Sequence, residues 1–266
     1  MSRPIVTFLT DFGLDDTFVG QMKAVVLSAS PHASLVDLTH AVPPQSILTG
    51  AIHLRSAWHW FPEGTVHVVV VDPGVGTNRR AICIRHRGHV FLAPDNGILS
   101  GAFGDDTPET AVKLELSNVA EGEVSRTFHG RDVFARAAGR LASGATLASL
   151  GREFDPAEVM RLDVPKPVVS RLSISGEILY VDRWGNAVTN ISAADLGTNS
   201  LEWSIRCGAF AVERICSTYA DVPEGDPLAA VSSMDTVEMA IRNGSAAARY
   251  DLEQGMAVEM TRNSDR

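Results

Sequence analysis

The 266-residue sequence has three cysteines, few aromatic residues (6%) and no histidine after position 129. No apolar run approaches the roughly 20 residues that a membrane-spanning helix needs. Cys83, Cys207 and Cys216 are too few and too scattered for a disulfide framework or a zinc cage, which points to a reduced, cytoplasmic protein. Basic residues are also scarce: 23 Lys+Arg against 32 Asp+Glu give a formal net charge of -9. That balance argues against nucleic-acid backbones and against anionic membrane surfaces, both of which draw on surplus Lys and Arg. HExxH, CxxC, GxSxG and GxxxxGK[ST] are all missing. The opening residues MSRPIVTFLTDFG lack the apolar core of a signal peptide and read as a short strand.

What is present is a chain long enough for one large domain or two, with 45% hydrophobic residues to fill a core. The first 160 or so residues alternate strand and helix patterns. Ile5–Leu9 is a strand, and Phe18, Val19, Met22, Val25, Val26 and Ala29 follow the helical period until Pro31. Ser34–Leu38 returns to strand. Ser46 is placed to cap a helix whose apolar face is Ile47, Leu48, Ala51, Ile52 and Trp58. Thr65–Val71 (TVHVVVV) has the β-branched run of a strand buried on both faces. Ala81–Arg85 and His89–Leu92 flank an Arg87-Gly88 turn, and Asp132 opens a helix through Leu141. This alternation predicts an α/β domain with a mostly parallel sheet over residues 1–164. After Pro165 and Pro167 come short strands at 178–181, 187–191, 201–206, 210–215, 228–231, 237–241 and 256–260. Their spacing, without helical stretches, predicts an antiparallel β-barrel domain over 165–266.

Ligands in doubly wound sheets bind beyond the carboxyl ends of strands. Asp11, Asp72 and the Asp95-Asn96 pair each follow such a strand and together suggest a cleft rim, although Asp-Pro-Gly and Asp-Asn-Gly are also ordinary turns. GVGTNR lacks the third glycine of a dinucleotide loop, so a nucleotide-phosphate cradle is not expected. His53 and His59 are six apart, which is not the same-face spacing of a metal pair; His67 reads as a core or edge histidine, and His32, His86 and His89 as surface residues. His129 stands apart. It precedes the helix that Asp132 would open, and a helix N-terminus disfavours an imidazolium, so the ring is expected to be neutral.

The runs DPGVGTNRR, PDNGIL, FHGRDVFA and VDRWGNAVTNI, with the N-terminal FLTDFG and the C-terminal VEMAIRNGSAA, resemble the S-adenosyl-L-methionine hydroxide adenosyltransferases. These are adenosine-forming hydrolases related to fluorinases and chlorinases. The resemblance covers nearly the whole chain and implies an N-terminal α/β domain, a C-terminal β-barrel and a homotrimer with active sites between subunits. It implies cleavage of S-adenosyl-L-methionine at C5′ to adenosine and L-methionine, without metal or cofactor. Asp72, Arg79 and His129 would hold the water or hydroxide. Asp11 would chelate the ribose diol, Asp182 the substrate ammonium and Asn186 the adenine edge, with Ser233, Glu238 and the Ile241 backbone as further contacts. The family's usual Asn-Ser-Phe-Gly reads Ser232-Ser233-Met234-Asp235 here, Trp184 replaces a common Phe and Arg136 a common Pro. Asp72, His129, Gly130 and Gln45 stand where halogenases carry other residues, which favours hydrolysis over halide-dependent adenosyl transfer. A non-catalytic adenosyl-ligand sensor is the third reading, and it has no need of a water-holding set.

Overall fold

The valine run resolves into two faces of one strand: Val66, Val68 and Val70 join one apolar core, while Val69 and Val71 join another. This is the period-2 alternation of a strand covered on both sides, and each buried Val is worth about 1.5–3 kcal/mol. The computed structural model describes residues 3–120, 122–198 and 202–263. The chain divides into two units, Met1–Leu162 and Asp163–Arg266.

In the first unit, strands β1 (Ile5–Thr10), β2 (Ser34–Thr39), β3 (Val66–Val70), β4 (Ala81–His86), β5 (His89–Pro94), β6 (Thr110–Leu114) and β7 (Gly151–Phe154) form one sheet in the order β2-β1-β3-β5-β4-β6-β7. The part β2-β1-β3-β5 is parallel, and β4, β6 and β7 extend it by antiparallel pairing. Helix α1 (Phe18–Ala29) packs Met22 and Val26 into the core shared with Val66, Val68 and Val70. Helix α2 (Ile47–Ala57) places Leu54 in the opposite core. Of the face expected from sequence, Ala51 and Trp58 are buried in this core and Ile47 packs against it, while Thr49, Gly50 and Leu54 are buried where Leu48 and Ile52 were expected. Ser46 occupies the cap position, but its hydroxyl donates to Thr49 Oγ1 (2.8 Å) instead of capping a backbone N–H. The β4–β5 hairpin turns on Arg87 (φ 47°) and Gly88 (φ 76°), the left-handed pair a two-residue turn requires. Segment 130–142 begins earlier than the Asp132 start read from sequence. It opens with a π-helical turn, Gly130–Ala135, and continues as α3 (Arg136–Ala142).

The second unit holds β8 (Val168–Val169), β9 (Ser173–Val181), β10 (Ala187–Ser192), β11 (Trp203–Cys207), β12 (Phe210–Val212), β13 (Ile215–Cys216), β14 (Pro227–Val231), β15 (Thr236–Ile241) and β16 (Ala257–Arg262). They run β12-β11-β16-β9-β10-β15-β14-β13, with β8 beside β9, as a nearly closed barrel around Ile178, Ile191, Phe210, Met239 and Met260. Pairing is antiparallel except for β13 on β14, which is parallel. Expected strand 210–215 is broken into β12 and β13, and Leu201, read as a strand start, lies outside the described residues. Two short helices, Ala193–Leu196 and Ala246–Tyr250, interrupt a region expected to lack helices; each is capped by a serine, Ser192 and Ser245. Among the described residues no helix is long and apolar enough to cross a membrane.

Candidate functional site

Because β1, β3 and β5 are parallel neighbours, the residues that follow them share one edge of the sheet. Asp11 and Asp72 line the same cavity there, of about 380 Å³, together with Phe12, Phe18, Gln45 and Val75. Asp95 does not join them. It is buried, accepts from Arg80 Nε (2.7 Å) and from the Met160 backbone N–H (2.8 Å), and so locks a loop. Asn96 supports the edge indirectly, since its amide donates to the Val71 carbonyl (2.8 Å) beside Asp72.

Asp72, Arg79 and His129 form one connected set. Arg79 Nε donates to both Asp72 oxygens (2.8 and 3.0 Å), and its Nη2 donates to Asp72 Oδ2 as well. The same Nη2 lies 2.9 Å from His129 Nδ1. A guanidinium only donates, so Nδ1 accepts and the neutral ring carries its proton on Nε2. Burial first, then the Arg79 charge, holds the His129 pKa below the ordinary imidazole value, against the opposing pull of Asp72 and Asp132. The neutrality expected from the helix terminus is therefore present with a different leading cause. The side chains of Asp72 and Arg79 are 5% and 10% exposed, which makes this a largely desolvated, charge-assisted pair.

Two close approaches hold the loops in register. A Cβ on Gly76 (φ 78°) would sit 2.6 Å from the Arg126 carbonyl, so glycine lets the 72–79 loop dock on the segment before His129. A Cβ on Gly130 would meet Phe12 (3.1 Å), Phe128 (3.2 Å) and the Met22 sulfur (3.3 Å), so the π turn rests directly on the aromatic wall of the cavity. Asp11 is anchored by the Gln45 backbone N–H (2.8 Å), which Gln45 presents from a left-handed conformation (φ 66°). Phe12 and Gln45 carry no periodic signal of their own, although the FLTDFG motif contains Phe12; Phe18 belongs to the helical stripe of α1.

In the second unit, Asp182 and Asn186 bracket the β9–β10 turn. Asp182 Oδ1 accepts the Trp184 and Asn186 backbone N–H groups (both 2.8 Å), and Oδ2 accepts the Asn186 side-chain amide (3.0 Å). Glu238 on β15 faces the same turn across β10. It is buried and accepts the Tyr219 hydroxyl. Burial pushes the Glu238 carboxyl up, the Asp182 charge adds to this, and the Tyr219 hydrogen bond opposes both. Tyr180 is pushed up to about 12 by burial and by the Asp182 and Glu238 charges. Ser233 is set apart, exposed in the β14–β15 turn; its neighbour Met234 receives the Tyr180 hydroxyl at 3.6 Å. Ile241 is buried at the C-terminal end of β15, the end that the antiparallel register brings beside the β9–β10 turn, and is bridged to Gly244. Tyr219 and Tyr180 were not singled out from sequence, because a lone Tyr in a turn or strand has no pattern that marks it.

The remaining histidines divide differently from the sequence reading. His67 is buried as expected, between Thr7 Oγ1 (2.8 Å) and His89 Nδ1 (3.1 Å). His86 and His89, expected at the surface, are both 4% exposed, because the hairpin folds under Trp58 with ring centroids 6.0 and 5.1 Å away. Among the described residues no group of three or more His, Cys, Asp or Glu has metal-ligand geometry.

Residues 6–151 match the SAM hydroxide adenosyltransferase N-terminal domain, and residues 176–259 match the corresponding C-terminal domain. A Thermus thermophilus protein named (R)-S-adenosyl-L-methionine hydrolase is 39% identical over an alignment of 267 residues, covering 97% of this chain and 99% of that one. A fluorinase of Actinopolyspora mzabensis is 28% identical, with 98% of each chain covered. The crystal structure of an uncharacterized conserved protein from Thermotoga maritima superimposes with a TM-score of 0.90 at 32% identity, covering 97% of this chain and 100% of that one.

Proposed function

Because the chain belongs to the SAM hydroxide adenosyltransferase family, we infer that it is an enzyme that hydrolyses S-adenosyl-L-methionine at C5′ to adenosine and L-methionine. The observation that carries the mechanism is the linked Asp72–Arg79–His129 set at the edge of the Asp11 cavity. A sulfonium leaves readily as a neutral thioether, so little acid assistance is required. The difficulty is to present one water in line with the C–S bond, in a site where bulk water is scarce.

The hydrogen-bond pattern supports a role for each member. Arg79 donates from Nε and Nη2 to Asp72 and from Nη2 to His129, and so holds both in place. With Nδ1 engaged, neutral His129 offers only Nε2–H, a donor that can fix the water oxygen. Asp72 keeps spare lone pairs and is the acceptor that orients a water O–H. Water oxygen bonds to C5′ as the C5′–S bond breaks, the sulfur keeps the electron pair, and one proton passes from the water through Asp72 to solvent. Proton acceptance of this kind is worth about 10²–10⁴-fold, and positioning supplies the larger share. In this reading Asp11 takes the ribose diol, Asp182 the substrate ammonium and Asn186 the adenine edge. Glu238, Ser233 and the Ile241 backbone are further substrate contacts. Asp72 would repel a halide approaching the nucleophile position, and the crowding around Gly130 leaves no room for a halide-binding hydroxyl without displacement of Phe12 or Phe128.

We further propose a cytoplasmic homotrimer whose sites pair the first unit of one subunit with the second unit of the next. Three buried free thiols suit a reducing compartment. Mass measurement in solution tests the assembly. The activity is tested by incubating the protein with S-adenosyl-L-methionine, with and without chloride, and identifying products by chromatography and mass. Equal adenosine and methionine, indifferent to chloride, are expected. A 5′-halo-adenosine, or tight binding without turnover, would overturn hydrolysis.

A further inference from the structure

The segment that delivers His129 is held by a buried carboxylate that does not itself reach the cavity. Asp132 is 2% exposed and sits inside the π turn. Its Oδ1 accepts Arg131 Nε (2.7 Å), while its Oδ2 accepts Arg131 Nη2 (2.9 Å) and the Ser125 backbone N–H (2.9 Å). Its own backbone N–H donates to the Phe128 carbonyl (3.1 Å). One side chain thus ties the start of the 125–129 loop to the turn that ends it, with His129 in between.

The clamp continues outward through the guanidinium. Arg131 Nη1 donates to Gln21 Oε1 on α1 (2.9 Å), and the guanidinium carbon lies 5.0 Å over the Phe128 ring. Phe128 in turn meets Phe12 and Phe18 edge-on, at centroid distances of 5.9 and 5.2 Å, and both of those rings line the cavity. A turn of π geometry carries one more residue than an α turn and leaves a backbone carbonyl out of step, so it persists where surrounding bonds over-determine it. The Asp132–Arg131 fork is such a set of bonds.

We propose that Asp132, with Arg131, is a positioning residue of the hydrolytic reaction: it fixes the 125–129 loop and the π turn so that His129 Nδ1 meets Arg79 and His129 Nε2 faces the water. This rests on the assignment of His129 given above. The charged groups around His129 are Arg79, Asp72 and Asp132. Protonation of His129 would place a hydrogen on Nδ1, directly against the Arg79 donor, and so would dismantle the set on the acid side. The Asp132 carboxylate opposes the lowering of the His129 pKa. An uncharged amide in its place moves the acid limb of the rate profile to lower pH.

The test compares wild type, Asp132→Asn and Arg131→Lys in steady-state hydrolysis of S-adenosyl-L-methionine across the pH range, with thermal melts to confirm folding. Wild-type release of adenosine and methionine must come first; its absence would refute the assignment of function, and the variants would not be needed. Given that activity, kcat for Asp132→Asn is expected to fall about 10- to 100-fold, the cost of misplacing a reacting group by a fraction of an ångström to one ångström. KM should stay within about threefold, since no group touching substrate is removed. The acid limb should shift downward in pH. Arg131→Lys keeps the charge but loses the fork, and should lower kcat in the same sense without moving the limb. If Asp132→Asn fails to fold, Arg131→Lys decides by its kcat. Wild-type kcat in a folded Asp132→Asn, or in Arg131→Lys where that variant decides, would overturn the proposal, as would a change confined to KM.

Discussion

Lowering the pH should destabilise the first unit through a histidine outside the proposed Asp72–Arg79–His129 set. His67 is 0% exposed, stacked on Phe91 at 4.8 Å, and its pKa is pushed down to about 3 from 6.5 by burial, with the neighbouring His89 adding to the effect. Below the unfolded value the unfolded chain binds a proton that the folded ring refuses, so stability is full above 6.5 and declines as pH falls toward about 3. Between about pH 7 and about pH 5 this single residue costs about 2 kcal/mol, from 1.36 kcal/mol per unit of separation. His89 and His86 are shifted the same way by burial and add to the slope. Urea titrations followed by tryptophan fluorescence suit the measurement, because Trp58 lies 5.1 Å from His89 and reports on this cluster. In His67→Gln the loss of stability between the two pH values should be smaller than in wild type by about 2 kcal/mol, whatever the substitution costs at neutral pH. Parallel losses in the two proteins would refute the reasoning, since the refused proton would then belong elsewhere.

Three further outcomes follow from the site. Asp72→Ala should retain substrate binding and lose about 10²–10⁴-fold in turnover, measured as adenosine release beside a binding isotherm; near-wild-type release would remove Asp72 from the mechanism. Gly76→Ala faces both a left-handed φ and the Arg126 carbonyl at 2.6 Å, so it should lower the melting temperature and reduce kcat together. An unchanged melt would show that the two loops do not need this approach. Tyr219→Phe removes the hydrogen bond that opposes the raised Glu238 pKa, so that carboxyl should titrate higher still. Substrate KM should then rise as pH is lowered at a higher pH than in wild type, and identical KM profiles would detach this pair from recognition.

Much of the frame was legible because it is periodic. The valines of β3, the α1 stripe and the Arg87-Gly88 turn each follow from a repeat or a required φ, and the structure contains all three. The expected α/β unit followed by a β-barrel also holds. Less legible was what depends on a partner distant in sequence. Asp95 has the same strand-end position as Asp11 and Asp72, yet Arg80 and the Met160 backbone claim it. His86 and His89 flank a polar turn, as surface residues do, but Trp58 covers them from another element. The π turn has no periodic signature, because its extra residue is held by the Asp132 fork and by the close approach of Phe12, Phe128 and Met22 that a glycine at 130 permits. Within the proposed catalytic set, the types Asp, Arg and His and their order follow from motif resemblance, while the tautomer of His129 needed the 2.9 Å contact with Arg79.

Attack by water on C5′ fixes where the new oxygen comes from. Running the reaction in ¹⁸O-labelled water and weighing both products reads that source. One heavy oxygen is expected in the 5′-hydroxyl of adenosine and none in methionine, in stoichiometric yield from a single turnover. Adenosine without the label, or no adenosine at all from a folded protein saturated with substrate, would contradict attack by water.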